Sequence, residues 1–247
     1  HLSRYWLNPN IEDFEAFAKE TAKISKIYQS ARELKDSHGT HVVSCDEKTG
    51  IQALERIAPT KPAAPGQIEK REFEYTRHGT VCLIANLDVA TGKLISPTLG
   101  QTRNEEDFAN HILRTVAMDP KAKWIFVLDQ LNTHMSESLV RLVNKKCHLK
   151  SELGLKGHSG ILKTMDSRRK FLATPAHRIQ FVYTPKHCSW MNQIEIWFGV
   201  LARRLLRRGS FPSTDDLTHR INKFIDYFND TLAKPFRWNF NGIPLRA

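Results

Sequence analysis

"KWIFVLD", residues 123–129, is a continuous apolar run that ends on an acid. A run of that length without alternation suits a strand buried on both faces, in the interior of a mixed or parallel sheet. Working outward, "IQFVYTP" (179–185) reads as a second strand, stopped by Pro185. "HVVSCDEKTG" (41–50) is a β-rich run, with Asp46 expected at its end. "TVCLIANLDVATGKLISPTL" (80–99) reads as two strands joined by a tight turn at Thr91-Gly92. "APTKPAAPG" (58–66) holds three prolines and is expected to be a loop.

Helical periods fill the gaps. Phe14, Phe17, Ala18, Thr21, Ile24, Tyr28 and Ala31 recur at helical spacing, predicting one helix over 11–34 with Asn10 as its N-cap. Residues 104–117 predict a helix capped by Asn104, with acids in its first turn. Further helices are expected over 136–146 and 189–207, and a last one opening at "STDDL" with Ser213 or Thr214 as cap. The order is strand, hairpin, helix, strand, helix, strand, helix, which is an α/β layered domain.

At 247 residues the chain can bury a core of its own in one domain. It is expected to comprise an N-terminal linker helix (1–40), a catalytic domain (41–240) and a short tail (241–247). The first residue is His1, which suggests a piece of something longer. No apolar run reaches membrane-spanning length and no signal peptide opens the chain, so a cytoplasmic protein without a membrane partner is expected. Cys45, Cys82, Cys147 and Cys188 show no zinc-ribbon or redox spacing and are read as free thiols; a Cys2His2 site from Cys147-His148 and His187-Cys188 is the alternative.

Charge is the unusual feature. The net charge is +11, and its location is narrow. Residues 141–170 carry nine Lys or Arg against Glu152 and Asp166, and residues 201–210 carry four Arg and no acid. These two stretches hold the whole net excess, which points to a polyanion partner, most simply nucleic acid. Residues 147–176 fit no strong period, hold Gly154, Gly157 and Gly160, and read as a basic, mobile insertion.

The acids supply the chemistry. Asp46 and Asp129 are expected at the ends of neighbouring strands. Glu195 falls inside the strongly apolar "WMNQIEIWFGVL" (190–201), where a carboxylate is costly unless it is paired or bound to metal. Ligands gather outside strand ends in open α/β sheets. Three hard carboxylates in one crevice suit Mg2+ or Mn2+, and two such ions can clamp an in-line phosphodiester displacement.

"HVVSCDEKTGIQALER" (41–56), "FVLDQLNTH" (126–134) and "YTPKHCSWMNQIEIWFGVLARRLLRRGSF" (183–211) resemble the three acid-bearing blocks of DDE transposases, most closely bacterial insertion-sequence transposases of the mariner superfamily. The resemblance covers roughly residues 40–240. It implies a ribonuclease-H-like fold, with a mixed sheet flanked by helices. It also implies Asp46, Asp129 and Glu195 as catalytic and metal-binding residues, with two Mg2+ ions per site and Mn2+ as substitute. The implied reaction is hydrolysis at transposon ends followed by 3′-hydroxyl strand transfer into target DNA. The partners would be double-stranded DNA and a second copy of the chain on paired ends, in a bacterial cytoplasm at the nucleoid.

The resemblance departs in two places: Gln130 stands where Asn is common, and the stretch 147–176 lengthens the spacing before Glu195. The family's helix-turn-helix domains precede the catalytic domain and none is visible here. Supporting roles fall to Asn132, His134 and Asn192. Asn132 and His134 are expected to touch the scissile phosphate or to support the ligands, with N-capping by Asn132 or Thr133 as the alternative. DNA contacts are expected from Arg203, Arg204, Arg207 and Arg208, which share one face of the Glu195 helix, and from Lys145, Lys146, Arg168 and Arg169. Trp190 and Trp197 are expected in the core. A structure-specific nuclease of the same fold, or a retired transposase kept for DNA binding, would fit the same residues.

Overall fold

The computed structural model describes residues 13–186 and 188–240. Five strands, β1 (Thr40–Arg56), β2 (Tyr75–Asp88), β3 (Leu94–Gly100), β4 (Lys123–Leu128) and β5 (Ile179–Tyr183), form one mixed sheet in the order β3-β2-β1-β4-β5. β1 pairs antiparallel with β2 and parallel with β4. β4 pairs parallel with β5, and β2 antiparallel with β3. The expected hairpin is present, and Gly92 in its turn has φ 73°. A Cβ there would lie 2.0 Å from the Lys234 carbonyl oxygen, so both the turn and the returning chain need glycine.

Side chains alternate across the sheet and build its two faces. On β4, Trp124, Phe126 and Leu128 enter one cluster, while Ile125 and Val127 enter another. The first cluster packs under α3 (Glu105–Ala117), α4 (Glu137–Lys146) and α5 (Met165–Leu172). Asn104 caps α3 in a full capping box with Asp107, as its sequence predicts. The opposite face is covered by α1 (Phe14–Gln29), α2 (Ala31–His38), α6 (Ile194–Leu201) and α7 (Thr214–Thr231). Ser213 caps α7 by accepting from the Asp216 N–H.

Four expectations need correction. The single helix over 11–34 is two helices broken at Ser30, and Asp13 caps the first by accepting from the Ala16 N–H at 2.9 Å. Asn10 lies outside the described residues, as does the tail 241–247. Asp46 does not end its strand: β1 continues to Arg56, paired beyond Asp46 with β2 alone. The helix expected over 189–207 is a 3-10 turn (Ser189–Met191), then α6, then a π turn (Ala202–Leu206) closed by the Arg207 N–H donating to the Ala202 carbonyl at 2.9 Å. Trp197 is fully buried, but Trp190 is half exposed and packs edge-on against Phe240.

The basic stretch 147–176 is not a mobile arm. Leu162 and Leu172 are fully buried in the cluster beneath α3 and α4, with Leu149, Leu153, Ile161 and Phe171 packed around them. Gly154 and Gly160 serve close packing here: a Cβ on Gly154 would sit 2.2 Å from the Ser159 carbonyl oxygen, and one on Gly160 2.6 Å from that of Leu153. Sequence periodicity missed this segment because its buried residues are too widely spaced to show a period.

Candidate active site

The pairing of β1 with β4 sets the site. Ser44 pairs with Val127, and the β1–β4 ladder stops there, while β1 itself runs on. Asp46 and Asp129 each lie two residues beyond that last pair. They therefore stand side by side where β4 ends, on the face covered by α6. Glu195 comes from the first turn of α6.

Asn192 fastens α6 to β1. Its Nδ2 donates to the Cys45 carbonyl at 2.9 Å and to Asp46 Oδ2 at 3.1 Å. Its Oδ1 accepts from Ser44 Oγ, which in turn accepts from the Ile194 N–H at 2.9 Å. These bonds hold Asn192 in an extended conformation and explain why the helix starts at Ile194. Asn192 thus orients Asp46 and the first turn that carries Glu195.

Charge in the crevice is crowded. Burial pushes the Asp46 carboxyl up to about 7, with the Asp129 and Glu195 charges adding to the rise against the Glu47 N–H and His134. Partial burial also raises Glu195, opposed by Lys48 and reinforced by Asp129. Asp129 behaves oppositely: partial burial would raise it, but His134, the Leu131 N–H and Arg103 outweigh that and hold it below the usual range. The apolar helix does not enclose Glu195. Ile194, Trp197, Phe198 and Leu201 are buried, while Glu195 faces the open side.

His134 is fully buried behind the acids, out of reach of a phosphate. Its Nδ1 lies 2.7 Å from Asp129 Oδ1 and its Nε2 lies 3.0 Å from Glu47 Oε2. Burial opposes its protonation, but the two carboxylates win and raise it to about 10. Asp46, Glu47 and His134 each bring a potential ligand atom within 4.8 Å of the others, the one such group among the described residues. Both ring nitrogens of His134 are already spent on carboxylates. The open donors are thus carboxylate oxygens that repel one another, a set that fits a hard divalent cation. Neither Asp129 nor Glu195 belongs to that group of three.

Sequence reading overlooked Glu47, Lys48 and Arg103. Strand alternation could have found the first two, since it places Lys48 on the Asp46 face and Glu47 on the other. Arg103 lies on a separate loop, and no local pattern ties it to Asp129.

The expected DNA contacts divide. Arg203, Arg204, Arg207 and Arg208 are exposed and carry no acid partner among the described residues. The π turn interrupts the α-helical face they were expected to share. Lys145 and Lys146 are exposed at the C-terminal end of α4, about 15 Å of helix away from its start beside His134. Arg168 is not free, because its Nε donates to the Met135 carbonyl at 2.7 Å and its Nη1 to that of Leu162 at 3.1 Å. Arg169 reaches Glu20 on α1 at 3.4 Å and lies over the Tyr183 ring. Both are structural ties because the stretch that carries them is folded into the core. Asn132 is exposed and caps nothing; Ser136 caps α4. Among the described residues the four cysteines are free. His187, needed for the alternative zinc site, lies outside the described residues.

Comparison with known proteins agrees with this architecture. The fold is similar to a Mos1 mariner paired-end complex with Mn, with TM-score 0.54 and 13% identity over 98% of this chain and 63% of that one. A Mos1 transposase paired-end complex with left transposon end gives TM-score 0.52 and 15% identity, covering 98% and 62%. The catalytic domain of Mos1 mariner transposase gives 0.51 and 13%, covering 98% and 90%. At such identities the likeness shows the shared ribonuclease-H-like fold. The chain spans less than two thirds of the chains in those two complexes. No curated protein matches it significantly in sequence. Residues 41–218, most of the chain and all three acids, match the model of the DDE superfamily endonucleases, and the chain belongs to that family.

Proposed function

We propose that this chain is the catalytic part of a DNA transposase of a bacterial insertion sequence, acting on double-stranded DNA as a dimer on paired ends. The observation that carries the proposal is the juxtaposition of Asp46 and Asp129 where β4 ends, with Glu195 close enough to add to the field: burial first, then the charges of Asp129 and Glu195, raise Asp46 to about 7. Asp46, Asp129 and Glu195 would hold two Mg2+ ions, or Mn2+ in their place, and these supply Lewis acidity and an activated water when bound. Solved Mos1 structures of the same fold include paired-end complexes, and two of the structures carry Mn.

The chain's own residues do the rest. Asn192 fixes the Asp46 carboxylate, and Ser44 fixes the first turn of α6. Asp129 is held ionised by His134. Lys48 and Arg103 place positive charge beside Glu195 and Asp129, where a phosphodiester would arrive. Arg203, Arg204, Arg207 and Arg208 continue beyond α6 and would follow the DNA backbone away from the acids. Hydrolysis at a transposon end leaves a 3′-hydroxyl, which then attacks target DNA. The site of action would be the bacterial nucleoid; no helix among the described residues is long and apolar enough to cross a membrane.

The test supplies labelled inverted-repeat DNA with Mg2+ or Mn2+, and separately pre-cut ends that already bear 3′-hydroxyls. Cleavage of the first and joining of the second, both abolished in D46N, D129N and E195Q, are expected. Cleavage without joining would leave a nuclease, and binding without either would leave a retired DNA-binding derivative.

A further inference from the structure

Glu47 is a carboxylate that the proposed chemistry does not use, yet its side chain is only 1% exposed. Strand alternation turns it away from Asp46, toward the face packed by α3 and α4. There its Oε2 meets His134 Nε2 at 3.0 Å. The other ring nitrogen, Nδ1, meets Asp129 Oδ1 at 2.7 Å. Nδ1 also lies 3.3 Å from the Asp129 carbonyl oxygen; every partner is an oxygen that accepts, so His134 donates from both nitrogens and ties β1 to the residue that follows β4.

The ring has little freedom. The Phe108 ring lies 4.4 Å from it, and Tyr183 Oη donates to the His134 carbonyl at 2.9 Å. Asp129 Oδ1 also accepts from the Leu131 N–H at 3.0 Å. One oxygen of Asp129 is thereby fixed by two donors, and Oδ2 has no protein partner among the described residues. We infer that Glu47 is a positioning residue: acting through His134, it holds Asp129 with one oxygen engaged and the other presented to the crevice. The inference rests on the reading of Asp129 as a metal-binding acid.

Removing an outer-shell partner of a metal ligand weakens metal binding by roughly 10- to 100-fold in known sites, and Glu47 acts through one such partner, His134. Glutamine keeps an acceptor oxygen for His134 Nε2 and gives up only the charge. The experiment is calorimetric titration of the full chain with MnCl2, on wild type, E47Q, E47A and D129N, with thermal melts of each before titration. E47A is expected to bind Mn2+ at least tenfold more weakly, and E47Q within about threefold of wild type. A purely structural Glu47 would lower the melting temperature and leave Mn2+ affinity unchanged in folded E47A, which overturns the inference. E47Q as weak as D129N would make Glu47 a direct ligand and overturns it too. Wild-type affinity in D129N would instead remove the metal-site reading itself. If E47A fails to fold, E47M fills the space without an acceptor and takes its place in the comparison.

Discussion

Asp46 and Asp129 stand at the same level of two neighbouring parallel strands, each two residues past the Ser44–Val127 pair. Strands in a sheet lie about 4.8 Å apart, so the two carboxylates are forced together before any ligand arrives. Burial, reinforced by that proximity, raises Asp46 from 3.8 to about 7.

The first prediction follows from that rise. A carboxyl raised in the folded state contributes stability that is present below its unfolded value and lost as pH climbs through its folded value. The metal-free protein should therefore weaken between about pH 4 and pH 7 on account of Asp46. D46N removes the repulsion and should be more stable than wild type at pH 8 in EDTA, by on the order of 2 kcal/mol. Urea denaturation at pH 5 and pH 8 checks this. Added Mn2+ should raise the melting temperature of wild type and not of D46N.

The Asn192 bonds give a second. N192A leaves the Cys45 carbonyl and Ser44 hydroxyl without their buried partner and should cost about 2–4 kcal/mol. S44A should cost less, and the double variant should cost less than the sum, because one network is broken once. Additive costs in a double-mutant cycle would show the two residues act separately.

Two kinds of arginine give a third. R168A should destabilise the fold by about 1–3 kcal/mol and leave the salt dependence of DNA binding unchanged, since both its hydrogen bonds are to carbonyls. Replacing Arg203, Arg204, Arg207 and Arg208 should leave stability unchanged. It should lower the slope of log K against log salt by about one for each phosphate no longer neutralised. Filter binding from 50 to 300 mM salt, roughly the range where such slopes are read, separates them.

A fourth concerns acid. His111 is fully buried on α3, and burial, helped by Arg114, lowers it from 6.5 to about 3. Its Nδ1 lies 2.8 Å from Thr98 Oγ1, which also accepts from Arg114. A group depressed in the folded state contributes stability above its unfolded value and loses it as pH falls. Below about pH 6.5 the wild type should lose about 1.4 kcal/mol per pH unit from this residue. H111L should show a flatter profile over the same range in guanidinium denaturation.

Finally, deleting residues 151–173 with a Gly-Ser bridge should prevent folding, because Leu162 and Leu172 leave the core with it. A folded, soluble deletion variant by circular dichroism would show the segment to be dispensable.

The amino-acid sequence by itself determined the α/β order, the hairpin with its glycine turn, the caps at Asn104 and Ser213, and the three acid-bearing blocks. Each is a local signal: an apolar run, a capping side chain, or a short motif within reach of its own neighbours. Tertiary structure alone decided where β1 ends, because a strand stops where its partner stops and β2 outlasts β4. It decided that Arg168 and Arg169 are ties within the fold, since their partners on other segments lie 33 and 149 residues away in the chain. It also made Glu47 part of the site, by bringing His134 against it from 87 residues away. Hydrogen bonds act over about 3 Å whatever the sequence separation, and no periodicity in a chain records which distant donor will come within that distance.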